Sequence, residues 1–286
     1  MNLWLTLAVN SITLGGLLFL LSAGFSLIFG LMRIPNLMHG SFFMLGAYLG
    51  VTFLAAGLNF FVAALASAAA MAVIGGLIER LLLRRLAGQE LAQVLLTLGF
   101  SFIIADICLM VWTGDPIQPA TPAGLTGAVQ VFSIFFPLYR LVIVVIAVAI
   151  AVALWLMIDW TRLGAMIRAG VDDAPIARVV GIKVSQLFTL IFCLGAALAA
   201  FAGVMGAPIL SAYPGLDADM LPLALIVVIL GGTGSLLGAL VGSFVIGFLY
   251  NFGQVMFPDL AYVILFLPMV LVLVLRPQGL FGRVAP

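Results

Sequence analysis

Of the 286 residues in this chain, 65% are hydrophobic and only 7% are charged, for a net charge of +1. That balance excludes a soluble domain, and long uncharged apolar runs recur from end to end. Segments such as Leu141 to Ile158 lack the strict alternation of a transmembrane barrel, so the chain reads as an all-α polytopic membrane protein.

Apolar runs and their breakers predict about eight or nine transmembrane segments, at 5–30, 38–56, 60–79, 91–113, 138–159, 184–207, 219–231, 235–250 and 259–275. The first lacks a cationic leader and a cleavage site and is expected to stay as a span. With the N-terminus outside and the C-terminus inside, ten of the eleven Lys and Arg residues fall on the cytoplasmic side, and only Arg140 opposes. Asp115, Asp217, Asp219 and Asp259 are then expected outside. The whole chain, 1–286, reads as a single transmembrane domain with no connection long enough for a separate soluble one.

Between the first two spans, Pro35 interrupts the helix and frees a backbone carbonyl. Asn36 and His39 beside it are candidates to line a pathway, together with Gly40 and Ser41; the plainer reading of His39 is a buried neutral ring bonded to a carbonyl. The serines and threonines inside spans are expected to bond back onto their own helices. Asp106 is the one acid well inside a predicted span, toward its outer end. The main outer loop, 114–137, is rich in proline and glycine and is expected to fold back on itself rather than form a helix. Cys108 and Cys193 both fall in spans and indicate neither a disulfide nor a metal pair.

The segment 161–183 is the most informative. It carries Arg162, Arg168, Asp172, Asp173, Arg178 and Lys183 between two long apolar runs, so it lies outside the membrane. Its ordering suits a short amphipathic helix, with Val171, Ile176, Val179 and Val180 as anchors and Pro175 starting a second turn or kinking the first. Further on, Gly231, Gly232, Gly234 and Ser235 break an apolar run into two short pieces. This break and the one at Pro35 form a weak internal echo, each followed by small residues: Gly46, Ala47 and Gly50 after the first, Gly238, Gly242 and Gly247 after the second. Close helix packing accounts for most of those glycines, and the breaks themselves are the pathway candidates. Residues 219–250 are either two short spans or a re-entrant pair.

No catalytic constellation, metal-ligand cluster or phosphate-binding glycine loop is present, so no enzyme is indicated and no cofactor is expected in this chain.

Four motifs together resemble the LivH-type permeases, membrane subunits of bacterial ABC importers for branched-chain amino acids, in a family that also includes urea and short-amide permeases. They are Gly30, Arg33, Asn36, His39-Gly40 and Gly46-Ala47-Tyr48; Gly164, Arg168-Ala169, Asp172, Asp173, Ala177 and Gly181-Ile182; Ile229 to Gly247; and Arg276 to Arg283. The chain departs from the family's usual pattern at Pro35, Leu37-Met38 and Ser41. The resemblance implies that Gly164, Arg168, Ala169, Asp172, Asp173, Ala177, Arg178, Gly181 and Ile182 couple the chain to an ATPase. It also implies a LivM-like paralogous permease (or a second copy of this chain), two ABC ATPase subunits carrying ATP and Mg, an extracytoplasmic substrate-binding protein docking on the outer loops, and the bacterial inner membrane; no nucleic acid is expected. A branched-chain or hydrophobic amino acid, or a related small solute, would be the cargo. The alternatives are a stand-alone secondary transporter or channel, which would rest on His39 and Asp106, and a non-transporting scaffold.

Overall fold

The computed structural model describes residues 2–32, 35–131 and 134–282. Arg33 and Arg283, two positions of the family pattern, and the side chain of Asp172 lie outside the described residues. A helix that is apolar on every face has no preferred side and suits burial all round. This is the condition of α1 (Asn2–Met32), which carries no charged residue and from Leu14 to Ile28 is buried without a gap. It forms the centre of the molecule.

The next helices are α2 (His39–Ala55), α3 (Phe60–Leu81) and α4 (Glu90–Trp112). The Asn59 side chain accepts the Phe61 N–H at 3.1 Å and starts α3. The outer connection folds back as expected: strands β1 (Ala128–Val131) and β2 (Ile134–Pro137) pair antiparallel, and Ile117 pairs with Ala212. Then come α5 (Leu138–Trp160), the short α6 (Arg162–Asp172) and α7 (Ala174–Val179), α8 (Val184–Leu210), α9 (Leu216–Gly231), α10 (Leu236–Met256) and α11 (Ala261–Leu275). Helix α8 packs on α1, α2 and α3, while α10 packs on α1 and α9.

Seven segments among the described residues are long and apolar enough to cross a membrane. The other two predicted spans are α2, with 17 residues, and α9, with 16. Each is roughly 25 Å long, short of the roughly 30 Å of a hydrocarbon core. The break between α9 and α10 is a tight turn joining two packed helices, with Gly232 and Gly234 at φ 98° and 76°.

In lipid, apolar surface gives helices no reason to associate, so close backbone approach must supply the attraction. A Cβ added to Gly24 of α1 would lie 2.8 Å from the Cα of Gly195 in α8. Gly24→Leu is therefore expected to separate the two central helices and to lower stability by ~1–3 kcal/mol, read as a lower melting temperature of the detergent-solubilised protein.

Candidate functional site

Proline has no N–H to give a helix and disfavours helical geometry in the residue before it. The chain leaves α1 at Met32, passes Pro35 and resumes as α2 at His39. The His39 ring donates from Nε2 to the carbonyl of Leu21 at 2.9 Å and stacks on Phe25 at 5.1 Å. Leu21 stands roughly 16 Å back along α1 from its last residue. Helix α2 thus begins inside the bundle, and the plain reading of His39 as a buried ring on a carbonyl describes its Nε2.

Helices α2 and α4 run parallel, tied by three bonds that each span 60 residues. The Leu37 N–H donates to Thr97 Oγ1 at 3.2 Å, Ser41 and Ser101 share a bond of 2.8 Å, and Trp112 Nε1–H donates to Thr52 Oγ1 at 2.8 Å. The Ser41 hydroxyl donates to Asp217 Oδ2 at 2.9 Å. Its single proton being used there, the shared bond is donated by Ser101. Gly40 faces α9 directly, since a Cβ there would lie 2.7 Å from the Asp217 carbonyl oxygen. Asp217, placed by the sequence just before the span 219–231, is instead in the first turn of α9 and buried. Its signal in the sequence was the apolar run that follows directly.

The same seam holds buried polar atoms that find no partner. Among the described residues, both amide atoms of Asn36, Nδ1 of His39, and the hydroxyls of Ser22 and Ser26 on α1 are sealed and unbonded. Ser11 and Thr13 do bond back to Leu7 and Val9, at 2.7 and 2.8 Å, as expected of hydroxyls in spans, but Ser22 and Ser26 depart from that expectation. A buried polar atom left unpaired costs ~1–3 kcal/mol, so such a cluster marks a place where water or a polar solute completes the bonding. Asp106 is on an exposed face of α4, and among the described residues it makes no ion pair. Outside the spans, burial and the hydrogen bond to Asp219 (2.5 Å) hold the Tyr213 phenol above its ordinary pKa.

Gly231, Gly232, Gly234 and Ser235 occupy the opposite end of α9. Ser235 caps α10 by accepting the Gly238 N–H at 3.0 Å, and a Cβ on Gly30 would lie 2.5 Å from the Gly234 Cα. The terminal motif folds over this turn, with the Leu280 and Phe281 N–H groups donating to the carbonyls of Leu230 and Gly231 at 2.9 and 3.0 Å.

The segment 161–183 forms two helices rather than one. Thr161 caps α6 through the Gly164 N–H, and Asp173 ends it and caps α7 by accepting the Ile176 N–H at 2.9 Å. Pro175 falls in the first turn of α7, where its missing N–H costs nothing. Gly164, Ile167 and Gly170 form the buried face of α6, with Gly164 against the backbone of Ile158. Arg168 turns back to the Ile158 carbonyl and to Asp159, 3.6 Å away. The Ala169 carbonyl accepts the Asp173 N–H, Ala177 is buried, and the carbonyls of Ala177 and Arg178 accept the N–H groups of Ile182 and Gly181. Ile176, Val179 and Val180 stand 62%, 88% and 75% exposed, an apolar ridge on a segment otherwise full of charge.

One further pairing escaped the sequence reading. Glu79, at the end of α3, is buried, accepts from Thr189 of α8 at 2.6 Å and meets Arg84 at 3.4 Å. Arg84 also donates to the Ser185 carbonyl at 2.9 Å, so the end of α3 is fastened to the start of α8. Among the described residues no three His, Cys, Asp or Glu side chains stand close enough to hold a metal ion. The surface grooves along α10, lined by Leu240, Phe244, Phe248 and their neighbours, are apolar and contain none of the expected site residues.

Residues 7–273 match the family described as the permease component of branched-chain amino acid transport systems. The high-affinity branched-chain amino acid transport system permease protein BraD of Pseudomonas aeruginosa is 30% identical over 292 residues, covering 96% of this chain and 94% of BraD. The corresponding LivH of Escherichia coli K12 is 28% identical over 294 residues, with the same coverage of 96% and 94%. The ribose import permease protein RbsC of Escherichia coli K12 is 28% identical over 205 residues, covering 66% of this chain and 59% of RbsC. No solved structure matches.

The unpaired amide of Asn36 separates a packing role from a role in passage. Asn36→Leu is expected to raise stability by ~1–3 kcal/mol by removing unsatisfied atoms and to lower solute uptake. Melting temperature and uptake, measured on the same preparation, move in opposite directions.

Proposed function

This chain belongs to the branched-chain amino acid permease-component family, and we propose that it is one of two membrane subunits of an ABC importer in the bacterial inner membrane. Its cargo is a branched-chain or other hydrophobic amino acid, or a related small solute, delivered by an extracytoplasmic binding protein that docks on residues 114–137. The second membrane subunit is a LivM-like paralogue or a second copy. Two ATPase subunits supply ATP and Mg, since this chain has no phosphate-binding glycine loop, and its relatives are transport permease components rather than enzymes. The N-terminus lies outside and the C-terminus inside, as the arginine distribution favours.

The observation that carries the coupling role is the exposed ridge Ile176–Val179–Val180 on a capped helical pair beyond the spans. Charge alone follows from the positive-inside tendency, but an apolar ridge in a charged connection needs a partner to cover it. Helix α7 leads through Gly181 into α8, and α8 packs on α1, α2 and α3. A push on the ridge is passed through the turn at Gly181 to α8, which packs along its length on α1, α2 and α3. ATP drives the cycle by binding the two conformations of the ATPase pair with different affinity.

The test is purification from native membranes in mild detergent, with mass spectrometry of every chain retained. ATPase subunits are expected to co-purify. The double variant Val179→Asp, Val180→Asp is expected to insert normally and lose them, whereas Asp173→Ser, which keeps the cap on α7, retains them. Wild-type protein that purifies alone overturns the importer reading.

A further inference from the structure

We infer that Asp217, with Ser41 and Ser101, receives the primary ammonium group of the amino acid passing through this chain, an inference that rests on the amino-acid importer reading above. Asp217 is 9% exposed, and among the described residues no Lys, Arg or His stands within ion-pair distance of it. A carboxylate withdrawn from water in a membrane protein calls for a cation or a full set of donors. Here Ser41 supplies the bond to Oδ2 at 2.9 Å, Ser101 reaches the same oxygen only at 3.5 Å, and Oδ1 receives no hydrogen bond among the described residues.

The direction of the hydroxyl chain matters. Ser101 donates to Ser41 and Ser41 donates to Asp217, so the lone pairs of Ser101 and the whole of Oδ1 remain free to accept. Free acceptors without free donors suit the N–H groups of an ammonium. A hard divalent cation would need about six oxygens or more, and among the described residues no three His, Cys, Asp or Glu side chains gather to hold one.

The position is also that of a passage. The three residues come from α2, α4 and α9, and the two short helices α2 and α9 meet here end to end, with Gly40 against the Asp217 carbonyl. Thr97 and Ser101 lie one turn apart on α4, facing Leu37 and Ser41 in turn. Asn36, whose amide is buried with neither atom bonded among the described residues, directly precedes Leu37. A charged amine would move between polar atoms that the protein leaves unsatisfied for it, without crossing hydrocarbon.

The experiment uses the complete transporter, with its co-purifying subunits and binding protein, in proteoliposomes, measuring tritiated leucine uptake and ATP hydrolysis together. Asp217→Asn leaves Ser41 an acceptor and removes the charge. Leucine carried per ATP is expected to fall about tenfold or more, the scale of one charged hydrogen bond, and Asp217→Glu to restore part of it. An undiminished ratio in Asp217→Asn overturns the inference and leaves the importer reading standing. A wild-type complex with no ATP-driven uptake overturns both. Should Asp217→Asn fail to assemble, the wild-type complex decides the matter through carbodiimide labelling of Asp217 during turnover. Leucine, but not isocaproate, which has the same chain and carboxylate without the amine, is expected to slow the labelling; equal slowing by both, or by neither, overturns the ammonium assignment.

Discussion

Inside a bilayer no water is available to a backbone N–H or carbonyl, so irregular backbone is tolerated only where protein surrounds it. The architecture here follows from that constraint. The chain departs from helix at Pro35–Met38, where the Leu37 N–H bonds to Thr97 of α4, and again before α9, where the buried Ala212 pairs with Ile117. The long, uniformly apolar α1 is the piece that makes this possible, because it offers the Leu21 carbonyl, Phe25 and the buried serines to whatever begins beside it.

A second consequence concerns attraction between helices. Lipid tails compete equally for apolar side chains, so contact comes from small residues that let backbones meet. Gly24 on Gly195 and Gly30 on Gly234 are such meetings, and the Glu79–Arg84–Thr189 group adds a polar fastening where α3 ends and α8 starts. The small-residue ladders after the two breaks belong to the same class: Gly46 and Gly50 face Ala200 and Val204 in α8, and Gly242 faces Val227 in α9. The plain packing reading of these glycines describes them.

The polar seam and the exterior helical pair join through α8. It follows α7 after the turn at Gly181 and forms a wall of the bundle along its length, packed on α1, α2 and α3. The terminal segment, bonded over the α9–α10 turn, holds the end of the bundle where Gly30 and Gly234 approach. The end of α1 and the segment after α11 thus meet at one end of α9, and its other end, at Asp217, is the one that meets α2.

The sequence by itself determined the class of structure, most of its spans, the helical character of 161–183 and the interruption at Pro35, because each depends on local hydropathy or on the chemistry of a single residue. It also pointed to the fold-back of 114–137 and to a second turn or a kink at Pro175, since proline and glycine act on their own backbone. Only the tertiary structure decided which polar groups are paired. Ser11 and Ser22 lie on one helix with the same chemistry, yet one bonds to the preceding turn and the other is left open. Asp217 read as an outer-loop acid because it stands at a run's edge, where hydropathy cannot distinguish a solvated end from one folded against two other helices. Arg168, which the resemblance places in the coupling set, turns back to Asp159, because a long side chain chooses its partner in space. Periodicity and composition are properties of neighbours in the chain, whereas burial and pairing at Asp217 join residues 176 positions apart.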